Sequence, residues 1–273
     1  MMEIKIDFTK SAQENAAEYY AEAKRLEAKR RGAEKAVRDL SDALARRLAE
    51  AEAQRPKRRI VISRQKAWYE KFHWFTSSDG FLAIGGRDAK QNELINSKHF
   101  DDNDLFFHAN VFGASVVILK NGVAAGADAR LEAAQFAACY SSAWESMQRS
   151  VDVYAMRRDQ VSKSTSKGSL GVGSFLLKGE REWFKDVQPS LVIAVKDGVP
   201  IAMPRHAFDK LGVGTGDGMA HVFVEQGRSK KSDAAKEIAS RLGIEDIDSI
   251  MLLLPSGSFR ISTRNTDALQ RKN

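Results

Sequence analysis

The 273-residue chain contains a single cysteine, Cys139, so no disulfide can form within it, and this fits a reducing compartment. The Ala-rich helical surroundings of Cys139 read as those of a buried structural thiol rather than a nucleophile. No apolar run approaches the roughly 18 residues needed to span a bilayer. The start, MMEIKIDFTK, carries no signal-peptide core. These absences argue against membrane insertion and lead us to expect a cytoplasmic protein. Conventional chemical motifs are missing too: there is no P-loop, no dinucleotide fingerprint after a strand, no HExxH and no Cys/His cluster at zinc spacing. The five histidines are scattered, and Ser164 to Lys167 matches Ser-x-x-Lys without its companion motifs. We therefore expect no metal site and no cofactor.

What is present is a folded composition with a basic bias. Apolar residues make up 43% of the chain and the net charge is +7, with a pI near 9.4. That balance suits a polyanionic partner, nucleic acid first and an anionic membrane surface second. From Ser11 to about Gln54 runs one long helical pattern, opened by a capping box of Ser11 and Glu14 and unbroken until Pro56. Ala12, Ala16, Tyr19, Ala23, Leu26, Arg30, Ala33, Val37, Leu40 and Leu44 alternate steps of four and three, the a/d spacing of a coiled coil. Such a helix would be about 66 Å long at 1.5 Å per residue, so part of it should project. Residues 21 to 60 hold 13 Lys/Arg against seven Asp/Glu, closing on Arg55, Lys57, Arg58 and Arg59. This arm reads either as a solvated coiled-coil face or as a phosphate-following surface.

Beyond the arm, short apolar runs bounded by Gly, Asn or Asp predict strands at 81–84, 105–108 and 116–119. A helix is expected over 128–147, then strands at 151–156, 174–178 and 191–196. A third part from about residue 199 should hold a strand at 220–225, a basic loop Gly227 to Lys231, a helix over 232–242 and an apolar run ending at Pro255. The fold class is α+β: a coiled-coil arm (1–60), a mixed or antiparallel sheet domain with a helix on one face (61–198), and a small α/β subdomain (199–273).

The stretch WYEKFHWFTSSDGFLAIGGRDAKQNE at 68–93 carries more polar and aromatic residues than a strand needs. Gly85 and Gly86 permit close backbone approach and would leave amide N–H groups for a phosphate or carboxylate, with Arg87 adding a fork of donors. Trp68 and Trp74 are flat enough to stack on bases, or are core residues. A second polar stretch, Gln160 to Gly168, includes Ser162 and Lys163 and suits phosphate contact. His108 reads as a hydrogen-bonded core histidine or as a general base.

That stretch, together with DLFFHANVFGASVVILKNG at 104–122, AAQFAACYSSAWES at 133–146 and DQVSKS at 159–164, resembles the NFACT-R domain of the NFACT family, which includes the nuclear export mediator factor of eukaryotes and the fibronectin-binding protein A-like proteins of bacteria and archaea. Residues 11–37 look like the family's coiled-coil region, and 230–243 and 254–261 like the C-terminal extension of archaeal members. The resemblance implies ribosome-associated quality control: binding obstructed large ribosomal subunits with peptidyl-tRNA and supporting tRNA recruitment, without covalent chemistry of its own. It implies large-subunit RNA and tRNA as partners. Lys71, Gly85, Gly86, Arg87, Asp88, Asn92, Glu93, His108, Gly113, Gln160, Ser162 and Lys163 match the family's polar and glycine positions. With Trp68 and Trp74, all of these except Glu93 and Gly113 form the candidate RNA-contact set.

The family's NFACT-N domain and helix-hairpin-helix motifs are not represented in this sequence. We therefore expect either a separate NFACT-N chain as partner or a shortened stand-alone protein, with a homodimer through the coiled coil as another arrangement. Locally, the family's Tyr-Trp-Val reads Tyr154-Ala155-Met156, its Gly-Glu-Tyr-Leu reads Gly168 to Gly171, and its GKKN reads Gly179-Glu180-Arg181-Glu182. The last change weakens the case for phosphate contact in that loop. The rival readings are a protein-interaction scaffold with little RNA contact, and an RNA-processing hydrolase using His108 and Asp88.

Overall fold

The computed structural model describes residues 5–53, 66–165, 168–212 and 219–263. The contacts divide the chain into two units, residues 1–57 and 58–273. Among the described residues the first contains one helix, α1 (Ala12–Ala53), of 42 residues. The capping box forms as expected: the Ser11 backbone N–H donates to Glu14 Oε2 at 2.7 Å, and the Glu14 N–H donates to Ser11 Oγ at 3.3 Å. Tyr19, Leu26, Val37, Leu40 and Leu44 of the a/d seam are all exposed. The basic cluster at 55–59 lies outside the described residues.

Among the described residues the second unit holds two larger antiparallel sheets and two two-stranded ones. The strands are β1 (His73–Thr76), β2 (Leu82–Gly85), β3 (Leu105–Ala109), β4 (Val117–Leu119), β5 (Val151–Arg157), β6 (Val161–Ser162), β7 (Ser164–Thr165), β8 (Gly168–Ser169), β9 (Leu176–Leu177), β10 (Glu182–Val187), β11 (Leu191–Lys196), β12 (Val199–Pro204), β13 (His221–Ser229) and β14 (Phe259–Ser262). The helices are α2 (Ala89–Lys98), α3 (Ala127–Cys139), α4 (Ser142–Glu145), α5 (Arg205–Lys210), α6 (Lys231–Leu242) and α7 (Ile247–Leu253). One of the larger sheets has the order β1-β2-β4-β3-β5-β10 and the other β12-β11-β13-β14, while β6 pairs with β9 and β7 with β8. Every strand pair is antiparallel, which resolves the mixed-or-antiparallel alternative.

Period-two alternation sorts the first sheet's side chains onto two faces. Phe75, Ala83, Leu105, Phe107, Val117 and Val153 point to a core completed by α3 and the second sheet. Ile84, Phe106, Ile118, Tyr154 and Met156 face the other way, onto a smaller cluster with Phe72, Ile95 and Phe100. Helix α3 packs against both larger sheets, and its run of buried alanines, with Cys139, permits that close approach. Burial pushes the Cys139 thiol up, and its Sγ lies 3.5 Å from the Ser190 carbonyl, the setting of a structural thiol.

The helix expected over 128–147 breaks after Cys139. Ser141 caps a new turn by accepting from the Ala143 N–H, a local alternative to continuing the helix. The basic loop expected from Gly227 to Lys231 is not a loop. Strand β13 runs to Ser229, and Lys231 already opens α6. Position 227 needs glycine because a Cβ there would collide with the Phe259 backbone. No helix among the described residues is long and apolar enough to cross a membrane.

Candidate nucleic-acid interface

Helix α2 packs Ile95 onto the face of the first sheet that carries Ile84, Phe106 and Ile118, although its sequence, AKQNELINSK, has little apolar periodicity. Asp88 starts it as the N-cap, its carboxylate accepting from the Gln91 N–H at 2.8 Å. Asn92 is buried, and its Oδ1 accepts from the Val116 N–H at 3.0 Å. Gly86 lies directly beneath it, where a Cβ would collide with that same oxygen. The Gly86 amide donates to the Val116 carbonyl at 3.1 Å. The expected free phosphate-binding N–H at Gly86 is therefore absent; Gly86 serves packing. Gly85 is buried against Val117 and Phe136.

Four of the expected residues, Arg87, Asp88, Asn92 and His108, line one cleft of about 540 Å³, together with Phe112, Tyr154 and Phe175. Arg87 is half-buried, donates from Nη2 to the Phe72 carbonyl at 3.1 Å, and leaves a buried Nε without a partner. Burial lowers its pKa. The His108 ring lies 3.3 Å from the Tyr154 hydroxyl, and burial holds it below the usual imidazole range. Phe112 is almost wholly exposed at the rim.

The other expected residues do not converge there. Trp68 stacks on His99 at 4.6 Å, Trp74 packs edge-on against Tyr69 at 4.9 Å, and the Lys71 ammonium sits 4.9 Å over the Phe72 ring. Gln160 bonds to the Arg157 N–H and the Glu180 carbonyl, and Ser162 belongs to the β6 ladder with Leu176. Lys163 directs its ammonium to Glu93 Oε2 at 2.6 Å, Gly171 O at 2.6 Å and Ser174 O at 3.1 Å. Those three acceptors use all its donors, so Lys163 ties Gly171 and Ser174 to Glu93 of α2. Hydrogen bonding from Lys163 is the main reason the Glu93 carboxyl lies below the ordinary carboxylate range, with the Gly173 N–H adding to it. Ser166 and Lys167 lie outside the described residues.

Sequence reasoning missed the residues that extend the cleft outward. His108 of β3 is the cross-strand partner of Tyr154 of β5, and Tyr154 that of Trp183 of β10, so one row crosses three strands. The Arg181 guanidinium lies 4.5 Å over the Tyr154 ring and 5.7 Å from that of Trp183. Lys185 covers Trp183 at 4.2 Å while pairing with Asp152 at 2.7 Å. The visible signal was the pattern Arg181, Trp183, Lys185, spaced two apart on one strand face. An exposed Trp beside cationic groups on an edge strand offers a base a stacking plane and a phosphate its counter-charge.

Residues 71–179 match the family described as the NFACT protein RNA binding domain. The chain is 37% identical over 191 residues to the "Ribosome quality control complex subunit NEMF homolog" of Drosophila melanogaster, covering 66% of this chain and 18% of that protein. It is 31% identical over 206 residues to the "Archaeal Rqc2 homolog aRqcH" of Methanocaldococcus jannaschii, covering 72% and 30%. To the human "Ribosome quality control complex subunit NEMF" it is 35% identical over 181 residues, covering 62% and 16%. The chain thus spans less than a third of the length of each of these relatives.

Proposed function

Because the chain belongs to the NFACT family, whose RNA-binding domain it carries at residues 71–179, we propose that it is an RNA- and ribosome-binding factor of ribosome-associated quality control. On this reading it engages obstructed large ribosomal subunits bearing peptidyl-tRNA, supports tRNA recruitment, and acts in the cytoplasm without covalent chemistry of its own. The observation that carries the proposal is the His108, Tyr154 and Trp183 row with Arg181 lying over two of its rings. Among the described residues Arg181 forms no ion pair, so its charge is available to a phosphate.

Fluorescence anisotropy with a labelled single-stranded RNA tests the proposal. Stacking on one aromatic contributes on the order of 1–3 kcal/mol per base, so Trp183→Ala should weaken binding roughly tenfold. Arg181→Ala should weaken it across sequences and reduce the salt slope by about 1. Unchanged affinity in the double variant would remove the RNA-contact role from this surface. A second reading, a scaffold assembling through its coiled coil, is favoured by the exposed seam at Leu26, Val37, Leu40 and Leu44. It predicts large-subunit co-sedimentation that survives the double variant and fails on Leu40→Glu with Leu44→Glu.

A further inference from the structure

Arg87 borders a second cleft of about 500 Å³, whose lining includes no residue of α2. Four of its lining residues come from separate elements: His73 from β1, Arg87 after β2, Tyr140 at the end of α3, and Lys231 at the start of α6. The His73 ring is buried, stacks on Tyr140 at 3.9 Å, and has an Nδ1 with no hydrogen-bond partner. Arg87 Nε is likewise buried and unpartnered. Lys231 gives one N–H to the Leu254 carbonyl at 2.8 Å, and Tyr140 gives its hydroxyl to the Leu253 carbonyl at 2.7 Å.

The charge balance of this cleft is one-sided. Glu145 reaches its rim but is exposed, and among the described residues no carboxylate pairs with Arg87, Lys231 or His73. Burial first, then Arg87 and then Lys231, hold His73 well below the usual imidazole range. Burial and Arg87 likewise depress Lys231. Buried donors without acceptors and neighbouring cations without an anion are both costly, and one ligand relieves both.

We propose that this cleft is a binding site for a single phosphate group, held by Arg87, Lys231 and His73. A tetrahedral dianion presents acceptors in enough directions to meet donors arriving from three elements, which a planar carboxylate does not. The guanidinium edge at Nε, the free N–H groups of Lys231 and a protonated Nδ1 of His73 supply the complementary set. The occupant is inorganic phosphate or the terminal phosphate of an RNA, and the cleft has room for the attached nucleotide. The site does not depend on RNA contact at the Trp183 row.

The full chain, with its histidine rings labelled with nitrogen-15, is titrated with inorganic phosphate at constant ionic strength against chloride. Saturable movement of the His73 ring signals is expected, with at least tenfold weaker phosphate binding in Lys231→Met. No saturable movement in the native chain up to tens of millimolar phosphate overturns the site, whatever the variant does. An RNA carrying a 5′-phosphate is then compared with its 5′-hydroxyl form. Tighter binding of the phosphorylated RNA, lost in Lys231→Met, identifies a terminal phosphate as the occupant. Equal binding of the two RNAs beside a saturable phosphate response identifies free phosphate. Loss of all RNA binding with the phosphate response intact sinks the RNA reading and leaves this site standing.

Discussion

Asn92 and Gly86 show how residues that read as ligands can be structural. The Asn92 amide bridges α2 to the Val116 N–H, and that bridge leaves no room for a side chain at position 86. Gly86→Ala would push a methyl into a buried hydrogen bond. The expected loss is about 1–3 kcal/mol of stability, read from the urea midpoint. His73 gives a pH signature. Its folded pKa lies well below the ordinary value near 6.5, because the ring is buried and faces Arg87 and Lys231, with Tyr140 stacked on it. The folded state therefore resists protonation more than the unfolded chain does. Stability from this group is complete above about pH 6.5 and is lost as pH falls below that value toward the folded pKa. Thermal melts in that window should show a steeper acid loss for the native chain than for His73→Gln; parallel profiles would count against a buried neutral ring.

At the scale of elements, legibility followed hydrophobic pattern. The spans at 105–108, 151–156 and 191–196 matched β3, β5 and β11 within about a residue, because both faces of these strands carry packed apolar groups. Helix α2 escaped notice because Ile95 shares its buried side with two asparagines, Asn92 and Asn96, rather than with an apolar stripe. Strand β10, EWFKDV, escaped because it is an edge strand whose outer face is aromatic and basic. Asp88 was visible as a residue that matters, but a carboxylate beside an arginine does not reveal whether it caps a helix or meets a ligand. The two roles separate experimentally. Asp88→Ala should lose about 1 kcal/mol of stability in a melt, as N-cap removal does. The same variant should change RNA affinity by less than about twofold, since a cap lying off the stacking row adds no base contact. A large affinity loss with unchanged melting would move Asp88 from cap to ligand.

Across the whole molecule, the apolar core lies in one unit and the exposed seam in the other. Buried apolar residues run from Phe72 to Phe259, within residues 58–273, whereas α1 exposes its seam and the 21–60 stretch holds 13 Lys/Arg against seven Asp/Glu. Residues 58–273 should consequently melt cooperatively without the helix. If the arm follows phosphates, its removal should cost affinity mainly through counterion release. The slope of log K against log salt would then fall in magnitude by about 0.7–0.9 for each phosphate that the arm had neutralised. We expect a fall of at least about 1.5, equivalent to two phosphates, between the full chain and residues 58–273. The weakening caused by Trp183→Ala should be the same in both, since stacking is a local contribution. An unchanged slope would mean that the arm's charges only solvate it. The Leu26 to Leu44 seam would then be the arm's working surface, and the difference between the two chains should appear in sedimentation, as assembly, rather than in RNA affinity.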